Sequence, residues 1–288
     1  MSGVSIVIPV GDADDRLDAQ LAALATSTGL SGTDIDVVLA ANRSVAPVAR
    51  AASAAVWPAE WSVRVVDATD VAGPSHARNT GWRATRGDVV LFCDADDLVH
   101  PGWASTMARA ARRHGICGGR LSYDVLNPAG LALRVTASRD ALPRKFGHLP
   151  YTPSCSLAMR RELLEATGGF DETMQCGEDI DLCWRAAHEG ASIVFVRDAV
   201  VEYRLRASAR AAFRQAVRYA TDDAALLRAH RSAGARWTLG DSVREWAAAA
   251  KSVAFVFAGL EARITAASRL GSCCGRVVGS IRHRILAL

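Results

Sequence analysis

Apolar positions along this chain follow two alternating rhythms. Short runs at Val4-Ser5-Ile6-Val7-Ile8, Asp36 to Ala41 and Val63 to Val66 are each followed by stretches of longer period, such as Leu17, Leu21 and Leu24. Apolar runs of four to eight residues bounded by turn formers read as buried strands, and a return every three or four positions reads as a helix packed by one face. Polar Asp12 to Asp15 start the first helix, Pro47 to Val56 makes a second, and Pro74 with Gly87 beyond its end brackets a third. Strands alternating with helices predict an α/β fold built on a doubly wound, mostly parallel sheet.

Past the fourth strand the rhythm changes. Pro101 opens a helix holding Trp103, Met107, Ala110 and Ala111, closed by His114-Gly115. Residues 116–123 and 131–136, on either side of Asn127-Pro128-Ala129-Gly130, predict a hairpin. Residues 137–154 hold three prolines and little periodicity, which predicts a loop or lid over the site. A helix near Arg160 to Thr167 ends at Gly168-Gly169. Another starts near Glu178, burying Ile180, Cys183, Trp184 and Ala187 and ending at Gly190. Beyond residue 206 the chain reads as helical: Ala207 to His230, a break at Ser232-Ala233-Gly234, then Trp237 to Ile264 and Arg276 to Leu288.

The chemistry concentrates at Val89-Val90-Leu91-Phe92-Cys93-Asp94-Ala95-Asp96-Asp97. A buried apolar strand that ends in three carboxylates delivers them to the carboxyl edge of the sheet, where open α/β folds bind ligands. Residues two apart in extended chain point the same way, so Asp94 and Asp96 can share a site, and their repulsion invites a hard divalent cation. Glu178 and Asp179, in the first turn of the later helix, form a second acidic pair whose ionised forms the helix dipole favours.

At 288 residues, with 50% hydrophobic and 22% charged positions, the chain is large enough for a catalytic domain plus an appendage. No secretory signal is readable after Met1-Ser2-Gly3, and no apolar run reaches spanning length, Val253 to Leu260 being the best candidate. Seven cysteines without a Cys-x-x-Cys pair suggest neither a disulfide framework nor a zinc site, with Cys273-Cys274 read as small buried residues. A reduced, cytoplasmic location is expected. The net charge of +4 is uneven: residues 207–288 carry thirteen Lys and Arg against five Asp and Glu, a surplus of +8, which leaves −4 for the rest. We therefore expect a domain at 1–206 and a basic, amphipathic helical extension at 207–288. This extension could contact the inner face of a membrane peripherally, pack on the domain or mediate a homodimer. Nucleic acid is not an expected partner.

Four motifs in order carry a resemblance. Ser5-Ile6-Val7-Ile8-Pro9-Val10, Gly73-Pro74-Ser75-x-Ala77-Arg78-Asn79-x-Gly81, Gly87-Asp88 with Phe92-x-Asp94-Ala95-Asp96-Asp97, and Gly168-Gly169-Phe170-Asp171-Glu172 before Glu178-Asp179 look like family 2 glycosyltransferases of GT-A fold, over residues 4–206. The resemblance implies an inverting transferase that uses a nucleotide-diphosphate sugar, commonly a UDP-sugar, with Mg²⁺ or Mn²⁺ and a hydroxyl acceptor such as a glycan or lipid-linked envelope precursor. It makes Asp96 the metal ligand, with Asp94 and Asp97 contacting nucleotide, ribose or metal waters. Asp179 becomes the catalytic base and Glu178 its neighbour. Pro9, Val10, Arg78 and Asn79 would line the nucleotide pocket. Where the family usually ends its second strand in two acidic residues, or an acidic residue and Asn, this chain has Ala41-Asn42, and Asn42 can still meet a base edge because its amide both donates and accepts. Glu202 stands where the family often has a metal-binding histidine.

Two other readings remain open on sequence. Asp94 could be the nucleophile of an aspartyl-phosphate-forming phosphatase, or the chain could bind sugar nucleotides without catalysis. Of the remaining polar residues, Arg204 and Arg206 could clamp a diphosphate, Asp67 and Asp70 are expected in turns, and His76 on an exposed helix face. The transferase reading requires Asp96 and Asp179 to open onto one cavity.

Overall fold

The computed structural model describes residues 3–132 and 138–285. Strands β1 (Gly3–Val10), β2 (Asp34–Ala41), β3 (Trp61–Asp67) and β4 (Val89–Phe92) lie parallel, with Val4 to Val7 of β1 in register with Val89 to Phe92 of β4. β5 (Leu98–Val99), β6 (Gly115–Ser122), β7 (Leu157–Arg160) and β8 (Ser192–Glu202) complete one sheet in the order β3-β2-β1-β4-β7-β6-β8-β5. β7 runs antiparallel to β4 and β6, β5 antiparallel to β8, and β6 parallel to β8. The sheet is thus mixed, with its parallel half at the start of the chain.

Alternation along β1 and β4 sorts the core into two layers. Val4, Ile6, Ile8, Val10, Val89 and Leu91 pack with Leu17, Leu21 and Leu24 of α1 (Asp15–Ala25), Val48 of α2 (Val45–Ala54), and Trp103 and Met107 of α4 (Trp103–His114). Val7, Val90 and Phe92 face Trp82 of α3 (Pro74–Ala84), Leu163 and Leu164 of α6 (Arg161–Thr167), and Leu182 and Trp184 of α7 (Glu178–His188). Helices therefore cover both faces, as strands buried on both sides require. α3 lies so close to β1 that a Cβ at Gly81 would collide with the side chain of Val7.

Three expectations change. Residues Ala129–Ala132 form a short helix, α5, opened by Pro128, whose carbonyl accepts the amides of Leu131 and Ala132. The hairpin's return strand is therefore not formed at 131–132, and residues 133–136 lie outside the described residues. The edge of β6 at Ile116 to Gly118 is already taken by β7. Second, Trp237 to Ile264 is not one helix: α9 (Leu239–Val253) starts at a Thr238–Asp241 capping box and α10 (Leu260–His283) restarts after Gly259, whose φ of 122° breaks the helical path. Third, Cys273 is buried but Cys274 is exposed, and all seven cysteines are free.

α8 (Ala209–His230) joins the C-terminal helices to the body. Its Ala224, Leu226 and Leu227 enter the second core layer, Asp223 pairs with Lys145, and His230 bonds Asp181 of α7 at 2.9 Å. α10 packs along α8 through Gly271, Gly275 and Gly279, where a Cβ would meet the carbonyl oxygens of Phe213, Val217 and Thr221. Helix backbones this close leave no room for a side chain. Gly275→Val should therefore destabilise the protein by about 2 kcal/mol or more, read as a lower urea midpoint, because the clash is with backbone that cannot rotate away.

Candidate active site

The carboxyl ends of β1, β2 and β4 open into a cavity of about 500 Å³. Pro9 and Val10 come from β1, Asn42 follows β2, Arg78 projects from α3, and Asp94 and Asp96 follow β4. This is the switch point of the sheet, where β1 lies between β2 and β4 and the connections diverge. Five further polar residues line the same cavity: Asp12, Asp14, Arg16, Arg43 and Arg206. Arg16 and Arg206 approach the Asp96 carboxylate at 3.6 and 4.0 Å. Burial and then the charge of Asp94 push Asp96 above the ordinary carboxylate range, the electrostatic state that a cation relieves.

A second cavity of about 380 Å³ adjoins the first, and Pro74 lines both. Glu178 and Asp179 sit in its wall with Lys145, Gln175, Arg218 and Asp223. All four tyrosines of the chain, Tyr123, Tyr151, Tyr203 and Tyr219, line it too. Lys145, Tyr151 and Pro153 belong to the expected lid segment, so its described part does wall this cavity. The requirement of one common cavity is corrected here: Asp96 and Asp179 open onto two neighbouring ones.

Arg78 links them. Its guanidinium donates to Asp94 Oδ1 at 2.8 Å and to Glu178 Oε1 at 2.9 Å, so one buried cation stands between the two acidic groups. Burial opposes that charge, and Asp94 with Glu178 outweighs it, holding Arg78 protonated. Burial and the adjacent Asp179 push Glu178 up to about 7. Asp179 is also raised by burial, against the pull of Arg78, and its oxygens accept the amides of Ser154 at 3.1 Å and Ile180 at 2.8 Å. Those two amides fix the carboxylate's orientation toward the cavity.

Four residues assigned by resemblance sit differently. Asn79 is fully committed to structure, donating to Phe170 O and Glu172 and accepting from Phe170 N and Trp82 Nε1, and so clamps α3 to the Gly168-Gly169 turn. Asn42 lines the first cavity, but its amide N–H groups go to the carbonyls of Ala68 and Val71 and its oxygen accepts from Gly73. It offers no free donor to a base. Asp97 is buried beneath the cavity, one oxygen accepting the Arg204 amide at 2.9 Å and the other without a partner. Burial and Asp94 raise it well above the usual range. Glu202 is not brought to the first cavity: it pairs with His100 at 3.0 Å and accepts the Val125 amide at 3.3 Å. Among the described residues, donor atoms of Asp94, Asp97 and Cys155 also lie within 4.8 Å of one another. His76 is not on an open face but sits between Glu172 and Asp70, whose carboxylates overcome its burial and raise it.

A family profile described as "Glycosyltransferase like family 2" matches residues 2–222. The chain belongs to glycosyltransferase family 2. A pre-mycofactocin glycosyltransferase of Mycobacterium tuberculosis is 33% identical over 153 residues, covering 48% of this chain and 31% of that protein. The O-antigen biosynthesis protein RfbC of Myxococcus xanthus is 27% identical over 232 residues, covering 72% of this chain and 18% of that one. The chain thus spans less than a third of the length of these curated relatives. Among solved structures, a Pyrobaculum calidifontis mannosyltransferase in complex with GDP-Man and Mn²⁺ superposes with a TM-score of 0.60 at 19% identity, over 96% of this chain and 86% of that one. Residues 1–349 of S. aureus TarS with UDP-GlcNAc give 0.56 at 17% identity, over 98% and 92%. The chain therefore has the GT-A fold.

Arg16, Arg43 and the tyrosines were not legible as site residues, whereas Arg206, one of the two arginines read as able to clamp a diphosphate, does line the first cavity. Arg16 had a signal: it begins a helix directly after β1, at the sheet edge that binds ligands. The tyrosines come from four separate segments and had none.

Proposed function

We propose that this glycosyltransferase moves a sugar, with inversion, from a nucleotide-diphosphate donor in the first cavity to an acceptor hydroxyl in the second. The observation that carries the reading is the Arg78 bridge, which sets the acidic strand end against the Glu178–Asp179 pair across the boundary of two adjoining cavities. Asp179 accepts the proton of the attacking hydroxyl. Its elevated affinity for protons suits that role, and a positioned base of this kind contributes about 10² to 10⁴ in rate. The tyrosine walls give a sugar ring faces to rest on, which favours a glycan acceptor. The catalytic unit comprises residues 1–206 together with α8, whose Tyr219 and Asp223 line the acceptor side.

The carboxylates of Asp94 and Asp96 fit a hard divalent cation, Mg²⁺ or Mn²⁺, because they supply oxygen donors at a site whose own charges repel. When bound, such an ion neutralises charge growing on the diphosphate leaving group. Arg16 and Arg206 lie beside the same carboxylate and would hold phosphate oxygens. Neighbours of this fold are solved with GDP-Man and Mn²⁺ or with UDP-GlcNAc, which supports a nucleotide sugar and a divalent ion. The aspartyl-phosphate alternative finds no support, since Arg78 occupies an oxygen of Asp94.

Thermal shift with UDP, GDP and their sugars, with and without Mn²⁺, tests this. One nucleotide should raise Tm by about 5 °C at roughly a hundredfold excess over Kd, and only with the metal. Asp96→Asn should lose the metal-dependent part. A chain indifferent to every nucleotide in the presence of Mn²⁺ would refute the donor assignment.

A further inference from the structure

The hairpin of α9 and α10 carries apolar surface that the other described residues do not cover. On α9, Leu239, Val243, Trp246, Ala250 and Val253 follow one another at steps of four and three, and all are exposed, Leu239 by 79%. The turn that follows, Val253 to Leu260, contains no polar side chain. Phe255 is 57% and Phe257 98% exposed, and Ala254, Ala258 and Leu260 are exposed as well. An apolar stripe thus runs into an apolar tip that is bare on several sides. Contiguous exposed apolar surface of this kind marks an interaction site.

The exposed charges beside the tip are basic. Lys251 and Arg263 flank the tip, both exposed, and among the described residues neither meets a carboxylate within 4.0 Å. The nearby acids are committed: Asp241 to Arg244 and Thr238, Glu245 to buried Arg276, while the Glu261 carboxylate lies against Gly130. The stripe has coiled-coil spacing, but its flanks are Gly240, Ser242, Ala247, Ala249, Ala254 and Val256. None can form the ion pairs that select a helical partner. A rigid partner would also leave part of an all-round apolar tip uncovered, whereas fluid hydrocarbon encloses it. No helix among the described residues is long and apolar enough to cross a membrane, so the surface suits burial within one leaflet.

We propose that the outer face of α9 and the turn 253–260 form an in-plane docking surface for an anionic lipid bilayer. Phe255, Phe257 and Leu260 enter the acyl boundary, and Lys251 and Arg263 meet the headgroup charge. This stands apart from the transfer reaction, because none of these residues lines either catalytic cavity.

Flotation of the whole chain with vesicles of phosphatidylglycerol and phosphatidylcholine, or of phosphatidylcholine alone, tests it. The chain should float with the anionic vesicles, weakly with the neutral ones, and less at high salt. Phe255→Ser with Phe257→Ser should weaken partition by more than about tenfold while Tm and nucleotide-induced shifts stay unchanged. Lys251→Glu with Arg263→Glu should remove the preference for anionic lipid. A chain that stays at the bottom of the gradient, or floats equally well without the two phenylalanines, overturns the proposal. So does sedimentation velocity showing a stable dimer that the phenylalanine substitutions dissolve, since the surface would then belong to a second copy.

Discussion

Asp179→Asn should lower transfer by about 10² to 10⁴, the rate that a positioned base contributes and equivalent to roughly 3 to 5 kcal/mol of barrier. Nucleotide binding should survive, because Asp179 lines the second cavity and the residues proposed to hold the donor line the first. Asn retains the shape but only one acceptor oxygen, so it can keep the Ser154 or the Ile180 amide bond and not both, and Tm should fall modestly, by about 1 kcal/mol of stability. The same substitution has a second, independent readout. The Asp179 charge helps hold Glu178 at about 7, so removing it should move the Glu178 carboxyl titration down, as seen by NMR. An Asn variant with undiminished turnover would reassign the base.

Arg78→Leu should be the most damaging single change to stability, by about 3 to 5 kcal/mol at roughly pH 8. The guanidinium is buried and holds two carboxylates at 2.8 and 2.9 Å, and its loss leaves Glu178 buried without the cation it is bonded to. The cost should depend on pH in a defined direction. Without Arg78 the Glu178 pKa rises further from about 7, while in the unfolded chain it returns to near 4.5. Between those values the folded state binds more protons than the unfolded state, so stability falls as pH rises through this window. Denaturant unfolding at about pH 6 should therefore show a smaller loss than at about pH 8. A pH-independent loss would mean that packing against Phe170, 5.6 Å from the guanidinium carbon, outweighs charge.

The acidic end of β4 was legible because it is written in local order. A strand that must be apolar to be buried and then abruptly acidic announces where the sheet ends and the site begins, and Asp94 and Asp96 both reach the first cavity. The Gly-rich motif was legible for a different reason than the resemblance suggests. Gly81 is small because α3 lies on Val7, and Asn79 is present because it caps the Gly169 turn, so part of a motif read as nucleotide-binding holds the scaffold together. Residues such as Asn42 and Glu202 show the limit. Their types suited a ligand, but neighbours 26 to 102 positions away in sequence occupy their polar atoms.

The sequence alone determined the layered α/β architecture, the parallel half of the sheet and the acidic strand end, since each follows from periodicity and burial within a few residues. Only the tertiary structure decided that Asp96 and Asp179 face two adjoining cavities joined at Arg78, that four distant tyrosines wall one of them, and that the α9–α10 turn stands bare. Those outcomes depend on which long-range contacts compete for each polar group and each apolar face, and that competition is settled only when the chain packs.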